Sequence, residues 1–353
     1  MPDQIYLAGA AAWLPPAESA KQATARGDYA EEDLAANGIR CVPVAGATDT
    51  PPDMAARAAA TALARAGTPA DIGLVLHASL YHQGRDHFWS AASYVQRAVE
   101  VRGATAVNVG QMSNGGMAAI ELAAGCLRGG RAAAALVTTA DRFCLPGFDR
   151  WRADYGIVYG DGAAAAVLST VGGFARLTGL RTLTDATLEQ LHRGTAPLTD
   201  TTGAGPVDVR RAKREYVTSV GLESVLRRSG QGAAAVVDGA LAEAGYRRSE
   251  LSVVVLPNLG HQLLAGQYLG PLGLSAEQTL MGWGAHTGHL GPGDQLAAVA
   301  HLVESGRVRP GDRVLLLGAG GGFSWSAATL SIESAPEWPE PTATPELPAD
   351  VRA

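Results

Sequence analysis

Polar and apolar positions along this chain follow two alternating periods. Continuous apolar runs of strand length recur at residues 5–13, 72–78, 104–109, 132–140 and 163–168. Such runs predict strands covered on both faces, and 104–109 reads as buried. Between them the spacing is helical: 31–36, stopped by Asn37-Gly38; 54–66, opened by Thr50-Pro51-Pro52-Asp53; 90–101; and 117–126. The pattern then starts again. Strands are predicted at 175–182, 253–256, 313–317 and 323–332, and helices over 217–244, 262–269 and 295–305, with an insertion through about Arg214. Strands alternating with helices predict a layered α/β fold with mostly parallel strands. Each half closes on a Gly-rich turn and a strand, at Gly160-Asp161-Gly162 and at Gly318-Ala319-Gly320-Gly321-Gly322. Two related halves, 1–172 and 173–333, are expected. The remaining 334–353 is rich in Pro, Glu, Ala and Thr and is predicted to be disordered.

Composition narrows the class. A net charge of −6 argues against a nucleic-acid binder, which carries a basic excess. No apolar run reaches membrane-spanning length, and the first residues lack a basic-then-apolar signal pattern, so a cytoplasmic protein without membrane contact is expected. The 3 cysteines are too few for a disulfide framework and fit no zinc spacing. His77, His82 and His87 cluster, but without a carboxylate at ligand spacing, so no metal is expected.

The chemistry centres on Val107-Asn108-Val109-Gly110-Gln111-Met112-Ser113-Asn114-Gly115-Gly116-Met117. A strand turns there through small residues into an alanine-rich helix. A side chain at Ser113 projects at the positive end of that helix, where backbone N–H groups can hold an oxyanion. The same position is also a common helix cap.

Two further stretches are Gly288-His289-Leu290-Gly291-Pro292-Gly293-Asp294 and Gly320-Gly321-Gly322-Phe323-Ser324-Trp325. With Tyr159-Gly160-Asp161-Gly162-Ala163 and Gly38-Ile39-Arg40, they resemble β-ketoacyl-ACP synthase III enzymes of the thiolase superfamily, in order and spacing, over roughly residues 1–332. The resemblance implies two fused α/β halves in a five-layered αβαβα fold, a homodimer, and an active site where the halves meet. Acyl-CoA enters as a substrate, and no cofactor is implied.

Departures from the family pattern define the expected chemistry. The family's nucleophilic Cys falls on Ser113, its His on Asn258, and its Asn on His289. Both members of the condensing pair have changed. Ser113, His289 and Asp294 instead make a candidate triad: a hydroxyl nucleophile, an imidazole base and a carboxylate that fixes the base's tautomer. Asp294 reads alternatively as the cap of the helix at 295–305. The oxyanion donors implied are the backbone N–H groups of Ser113 and Gly321. Cys41, Cys126 and Cys144 do not align with the family nucleophile. Met112, Phe88, Trp89, Asn258 and His286 are expected around the acyl pocket, Phe88 reaching it from the partner subunit, and the bulky ones imply a short acyl chain. The CoA-contacting Trp and Arg of the family are Glu32 and Ala36 here. Arg152 is the remaining candidate CoA contact, and Arg210, Arg211, Lys213 and Arg214 form a basic cluster for an acidic carrier protein. His192 has no assigned role.

The pattern is similar to serine-containing acyltransferases of natural-product pathways, including anthracycline starter-unit enzymes. Three readings follow. The first is transfer of an acyl group from acyl-CoA through a Ser113 ester to a carrier protein or to a natural-product hydroxyl or amine. The second is decarboxylative condensation by a starter-unit synthase. The third is a non-catalytic thiolase-fold partner subunit.

Overall fold

The computed structural model describes residues 4–67, 72–85, 88–198 and 205–338. The first half contains β1 (Ile5–Trp13), β2 (Ala17–Ser19), α1 (Ala20–Ala25), α2 (Glu31–Asn37), β3 (Cys41–Pro43), α3 (Pro51–Arg65), β4 (Ile72–Ala78), α4 (Ala91–Ala98), β5 (Thr105–Val109), α5 (Gly115–Arg128), β6 (Ala134–Asp141) and β7 (Gly162–Ser169). There follow β8 (Ala175–Thr184), α6 (Gln190–Arg193), α7 (Val209–Val220), α8 (Leu222–Ala244), β9 (Val253–Val255), α9 (His261–Leu264), α10 (Gly270–Leu272), α11 (Met281–Gly284), α12 (Asp294–Glu304), β10 (Arg313–Gly320) and β11 (Ser324–Ile332).

Local chemistry sets the ends of these elements. Thr50 accepts from the Asp53 N–H while Pro51 and Pro52 fill the first turn of α3, which therefore starts before the apolar spacing does. Gly38, at φ 65°, lets α2 end in a left-handed cap.

Nine strands form one mixed sheet in the order β5-β4-β6-β7-β1-β8-β11-β10-β9. From the centre outward, β1-β7-β6-β4-β5 is matched by β8-β11-β10-β9, and an isolated parallel bridge from Val254 to Thr279 stands where a fifth strand would pair. The two runs join through antiparallel pairing of β1 with β8, Ile5 opposite Leu177. Apolar side chains divide the molecule into layers. One core joins α3 to the outer face of the first run. A second places α5 and α12 between the two runs. A third packs α8 on the outer face of the second. This is a mixed α/β, thiolase-like fold.

The structure departs from the sequence reading in five main places. The strands are not mostly parallel: five of the eight pairings in the large sheet are antiparallel, since β6, β7, β1, β8, β11 and β10 alternate in direction and β10 returns into β11 through a three-residue turn. The run at 104–109 is not buried: β5 is an edge strand paired only with β4, and Val109 alone among its residues is buried. The helix expected over 90–101 ends at Ala98. The helical stretch expected from residue 217 begins at Val209 and is split by Gly221, whose φ of 85° breaks the helical path. The start of the expected disordered tail is ordered, since Trp338 packs edge-on against Phe174 and under the Arg65 guanidinium. The rest of that stretch lies outside the described residues.

Candidate active site

α5 and α12 lie side by side in the middle layer, and their N-termini meet. Close approach is possible because Gly116 has no side chain: a Cβ there would lie 2.2 Å from the Pro292 carbonyl oxygen. Ser113 sits in the single 3₁₀ turn Met112–Asn114 that feeds α5. Met112 holds φ at 48°, a conformation rare for a side-chain-bearing residue, and such strain clusters at functional sites. Asn114 is fully buried and anchors the turn to β11, its Nδ2 donating to Ser324 Oγ at 3.2 Å and Ser326 Oγ at 2.8 Å. Gln111 donates to Ser324 Oγ at 2.9 Å. Sequence reasoning passed over both. Their only signal was a polar amide residue on each side of Met112-Ser113.

Ser113 Oγ lies 2.7 Å from His289 Nε2, and His289 Nδ1 lies 2.7 Å from Asp294 Oδ2. His289 and Asp294 are both buried. The His289 backbone is fixed on both sides: its N–H donates to the Val158 carbonyl at 2.8 Å, and its carbonyl accepts from Gly160 N–H at 3.0 Å. The Gly160-Asp161-Gly162 motif thus braces His289. Asp161 takes two bonds from Arg150, at 3.0 and 2.8 Å, plus the N–H groups of Ala45 and Phe143. The Tyr159 ring tilts against the imidazole at 5.3 Å between centroids. Burial keeps the Tyr159 phenol well above its ordinary pKa, and the nearby Asp154 pushes it further up.

Asp294 does not cap α12, of which it is the first residue; Gly293 occupies the cap position. Its carboxylate instead collects donors. Oδ2 accepts the Asn258 N–H at 2.8 Å, and Oδ1 accepts the Leu290 N–H at 2.8 Å and the Asn258 side-chain amide at 3.4 Å.

One cavity of about 380 Å³ opens onto this chain of hydrogen bonds and is lined by Ser113, His289, Gly320 and Gly321. Gly320 lets the end of β10 press against the turn that carries Ser113, since a Cβ would stand 2.5 Å from the Asn114 nitrogen. His192 stacks on Phe323 at 5.9 Å and lies against Gly321. Burial, aided by the Lys213 charge, pushes its pKa down to about 4, so the ring is neutral.

The other expected pocket residues do not line this cavity. Asn258 turns toward Asp294, away from the cavity. His286 bonds back to the Gly282 carbonyl at 2.8 Å. Met112 and Trp89 are exposed outside it, and Phe88 is fully exposed with φ at 83°. Each member of the basic cluster has a partner within the chain. Arg210 pairs with Asp33 at 2.7 Å, Arg211 with Glu215 at 2.8 Å and Lys213 with Asp154 at 2.5 Å; Arg214 bonds Tyr155 Oη at 2.7 Å, and Arg152 bonds the Gly27 carbonyl. Asp33 follows Glu32 on α2, so the segment expected to face CoA binds α7 instead. None of the three cysteines lines the cavity. His77 is spent on Thr138 and Gln83, His87 lies outside the described residues, and no group of three metal-binding side chains occurs among the described ones. No helix among them is long and apolar enough to cross a membrane.

Residues 107–185 match the family described as 3-oxoacyl-[acyl-carrier-protein (ACP)] synthase III, and residues 241–332 match its C-terminal part. A β-ketoacyl-[acyl-carrier-protein] synthase III of Rhizorhabdus wittichii is 31% identical over 299 residues, spanning 83% of this chain and 88% of that protein. The chain belongs to the β-ketoacyl-ACP synthase III family. The enzyme of the same name from Salmonella typhimurium is 30% identical over 298 residues, covering 83% of this chain and 88% of its own length. A solved structure described as "ChlB3 [Aceyltransferase]" superimposes with a TM-score of 0.89 at 36% identity, covering 94% of this chain and 98% of the other. The synthase III of Pseudomonas aeruginosa shares the fold, with a TM-score of 0.77 at 22% identity over 94% and 99% of the two chains.

Family membership makes this chain an enzyme of acyl transfer or condensation. The third reading, a non-catalytic partner subunit, is set aside on that ground.

Proposed function

We propose that this synthase III-family enzyme is an acyltransferase that loads an acyl group from acyl-CoA onto Ser113 as an oxygen ester and passes it to a second nucleophile. The observation that carries this reading is the unbroken line Ser113 Oγ, His289 Nε2, His289 Nδ1, Asp294 Oδ2, with both spacings at 2.7 Å. Ser113 Oγ attacks the thioester carbonyl as its proton passes to His289. The carbon–sulfur bond breaks, and CoA leaves with that proton as the thiol. A hydroxyl, amine or thiol then attacks the ester, its proton passes to His289, and the Ser113 oxygen recovers it on leaving. The N–H groups of Ser113 and Gly321 are assigned to the oxyanion. Asp294 holds the Nδ1 proton and stabilises the imidazolium.

Decarboxylative condensation is the second reading, and the names of the curated relatives fit it better than they fit transfer. Two observations of the site weigh the other way. A condensation needs donors aimed at the thioester oxygen of the extender, and the Asn258 amide is committed to Asp294 outside the cavity. The structure with the greatest similarity in sequence among those given above is described as an acyltransferase.

The same proposal takes 1–172 and 173–333 as the two halves, supported by the repeated strand order. It also includes a homodimer, supported by the open edge of β5, and a place in natural-product biosynthesis in the cytoplasm, with a small molecule or an acyl carrier protein as acceptor. The test is intact-protein mass spectrometry after incubation with acyl-CoAs. An acyl adduct located on Ser113 and lost in Ser113→Ala supports the loading step. Carbon dioxide released on adding malonyl-ACP to the acylated enzyme would replace transfer by condensation.

A further inference from the structure

His192 is a second histidine in the wall of the Ser113 cavity, and the acylation chemistry leaves it unused. It comes from the short helix α6, between β8 and α7. Its ring is held between Phe323, stacked at 5.9 Å between centroids, and Gly321. A Cβ on Gly321 would stand 2.6 Å from His192 Nδ1, 3.1 Å from Cγ and 3.3 Å from Cε1, so the ring edge carrying Nδ1 rests on that glycine. Nδ1 is buried there without a hydrogen-bond partner. Nε2 also bonds nothing among the described residues, yet it is not buried, and the residue lines the cavity. Nε2 is therefore the nitrogen open to the cavity.

The place of the proton follows. An N–H at Nδ1 would be buried against Gly321 with no acceptor, which is costly, whereas a lone pair there meets only the glycine's Cα hydrogen. The favoured tautomer carries its proton on Nε2. Burial and the Lys213 charge keep the ring neutral, with its pKa down at about 4. So weak a base accepts protons poorly near neutral pH, but a neutral imidazole still donates one hydrogen bond and can polarise a carbonyl. No carboxylate lines the cavity to take up that donor. The Gly321 N–H likewise donates to nothing among the described residues. Gly320 beside it touches the turn that carries Ser113, where a Cβ would stand 2.5 Å from the Asn114 nitrogen and 2.7 Å from the Gln111 carbonyl oxygen. Two residues of backbone thus separate that turn from His192, and the charge of His289 is near enough to act on the ring. A substrate oxygen held at the Gly321 N–H is the one that His192 adjoins.

We propose that His192 is a further catalytic residue, whose Nε2–H donates to the thioester oxygen as negative charge develops on it, a third donor beside the N–H groups of Ser113 and Gly321. This rests on the loading of Ser113 proposed above. The His192 proton stays on Nε2 throughout, and attack by Ser113, proton transfer to His289 and loss of CoA proceed as written there. A bond that strengthens as charge builds on the oxygen raises the rate more than it tightens binding of the donor.

The test compares His192→Phe, which keeps a ring on Phe323 and removes the N–H, with His192→Gln, which keeps an N–H donor without the ring. Each is acylated by acetyl-CoA and by para-nitrophenyl acetate, an ester with no CoA arm, and the adduct is located by mass spectrometry. In His192→Phe the maximal first-turnover rate should fall about 10²-fold with both donors, the adduct still forming on Ser113. The half-saturating acetyl-CoA concentration should stay within about twofold of the parent's. His192→Gln should recover the rate to within about tenfold of the parent, with an unchanged acid limb in its pH–rate profile. A near-parental rate in His192→Phe would overturn the assignment, as would a loss seen only as weaker saturation. A loss with acetyl-CoA but not with the small ester would place His192 on the CoA arm instead. A His192→Gln rate as low as that of His192→Phe would reduce the residue to packing, and a lost acid limb would make it a base. A parent enzyme that neither donor acylates on Ser113 removes the loading step and this role together, whereas a parent that loads while both variants keep pace removes only the role of His192.

Discussion

Replacing Asp294 by Asn distinguishes a catalytic carboxylate from a structural one, because every lone pair of Asp294 has a donor facing it. Oδ2 meets His289 Nδ1 at 2.7 Å and the Asn258 N–H at 2.8 Å, while Oδ1 meets the Leu290 N–H at 2.8 Å and the Asn258 amide at 3.4 Å. An asparagine offers one oxygen and one NH₂. With NH₂ in the Oδ2 position, it faces the Asn258 N–H and turns His289 Nδ1 into an acceptor. The imidazole proton then moves to Nε2, and His289 can no longer receive the Ser113 proton. With NH₂ in the Oδ1 position, it faces both the Leu290 N–H and the Asn258 amide, two donors rather than one, so the first orientation, with the wrong tautomer, is favoured. Either orientation sets donor against donor in a buried site, at a cost of about 1–3 kcal/mol, and weakens charge-assisted bonds of about 1.5–3 kcal/mol each. A net loss of about 2–4 kcal/mol of stability is expected. The corresponding change in serine proteases lowers kcat about 10⁴-fold through the wrong tautomer, which serves as a ceiling. A fall of about 10³–10⁴ in the acylation rate is therefore expected for Asp294→Asn. Stopped-flow detection of CoA thiol in the first turnover gives that rate, and urea titration gives the stability. If the variant loses the stability but acylates at a near-normal rate, Ser113 and His289 act as a dyad and Asp294 only holds the loop.

Ser113→Ala should abolish the acyl adduct with the melting temperature within a few degrees of the parent, whereas Ser113→Cys should still load, since a thiol at a helix N-terminus is readily ionised; an adduct persisting in the alanine variant would mean another nucleophile. Gly320→Ala should cost about 1–3 kcal/mol and slow acylation, because its Cβ would stand 2.5 Å from the Asn114 nitrogen. Gly125→Ala, in α5 with nothing within 4 Å, should instead gain about 0.5–1 kcal/mol; urea midpoints in the opposite order would refute the packing argument. Burial lowers His77 to about 4, so folding disfavours its protonated form, and the unfolded chain binds the proton first as pH falls. Stability from this residue should be fully present above about pH 6.5 and be lost progressively toward pH 4, by about 3 kcal/mol, in a urea series that His77→Gln flattens. Sedimentation at micromolar concentration should show a dimer formed along the open edge of β5; a stable monomer would count against that pairing.

Much of the fold was legible because its elements are governed by local chemistry. Apolar runs of strand length, Thr50 ahead of two prolines, and Gly38 after α2 each fix a boundary through the residues at that boundary. The grouping of Ser113, His289 and Asp294 was also legible, since each sits in a motif that the family resemblance aligns with the others. What the sequence left open depends on contacts between distant segments. Burial of residues 104–109 hinges on whether another strand lies beyond β5, which hydrophobicity does not encode. Asn258 reads as a pocket residue from its position after Pro257, but its N–H and its side-chain amide both bond to Asp294. The basic run from Arg210 to Arg214 reads as a docking cluster for an acidic carrier protein; Arg210 and Lys213 pair with Asp33 and Asp154, more than fifty residues earlier, and Arg214 donates to the Tyr155 hydroxyl. His192 carries no motif at all. The fold sets it against Gly321 in the cavity of Ser113. Sequence determined which groups could do the chemistry, because reactivity belongs to residue type. Tertiary structure alone decided which polar groups were left unbonded, because satisfaction of a donor depends on everything that packs around it.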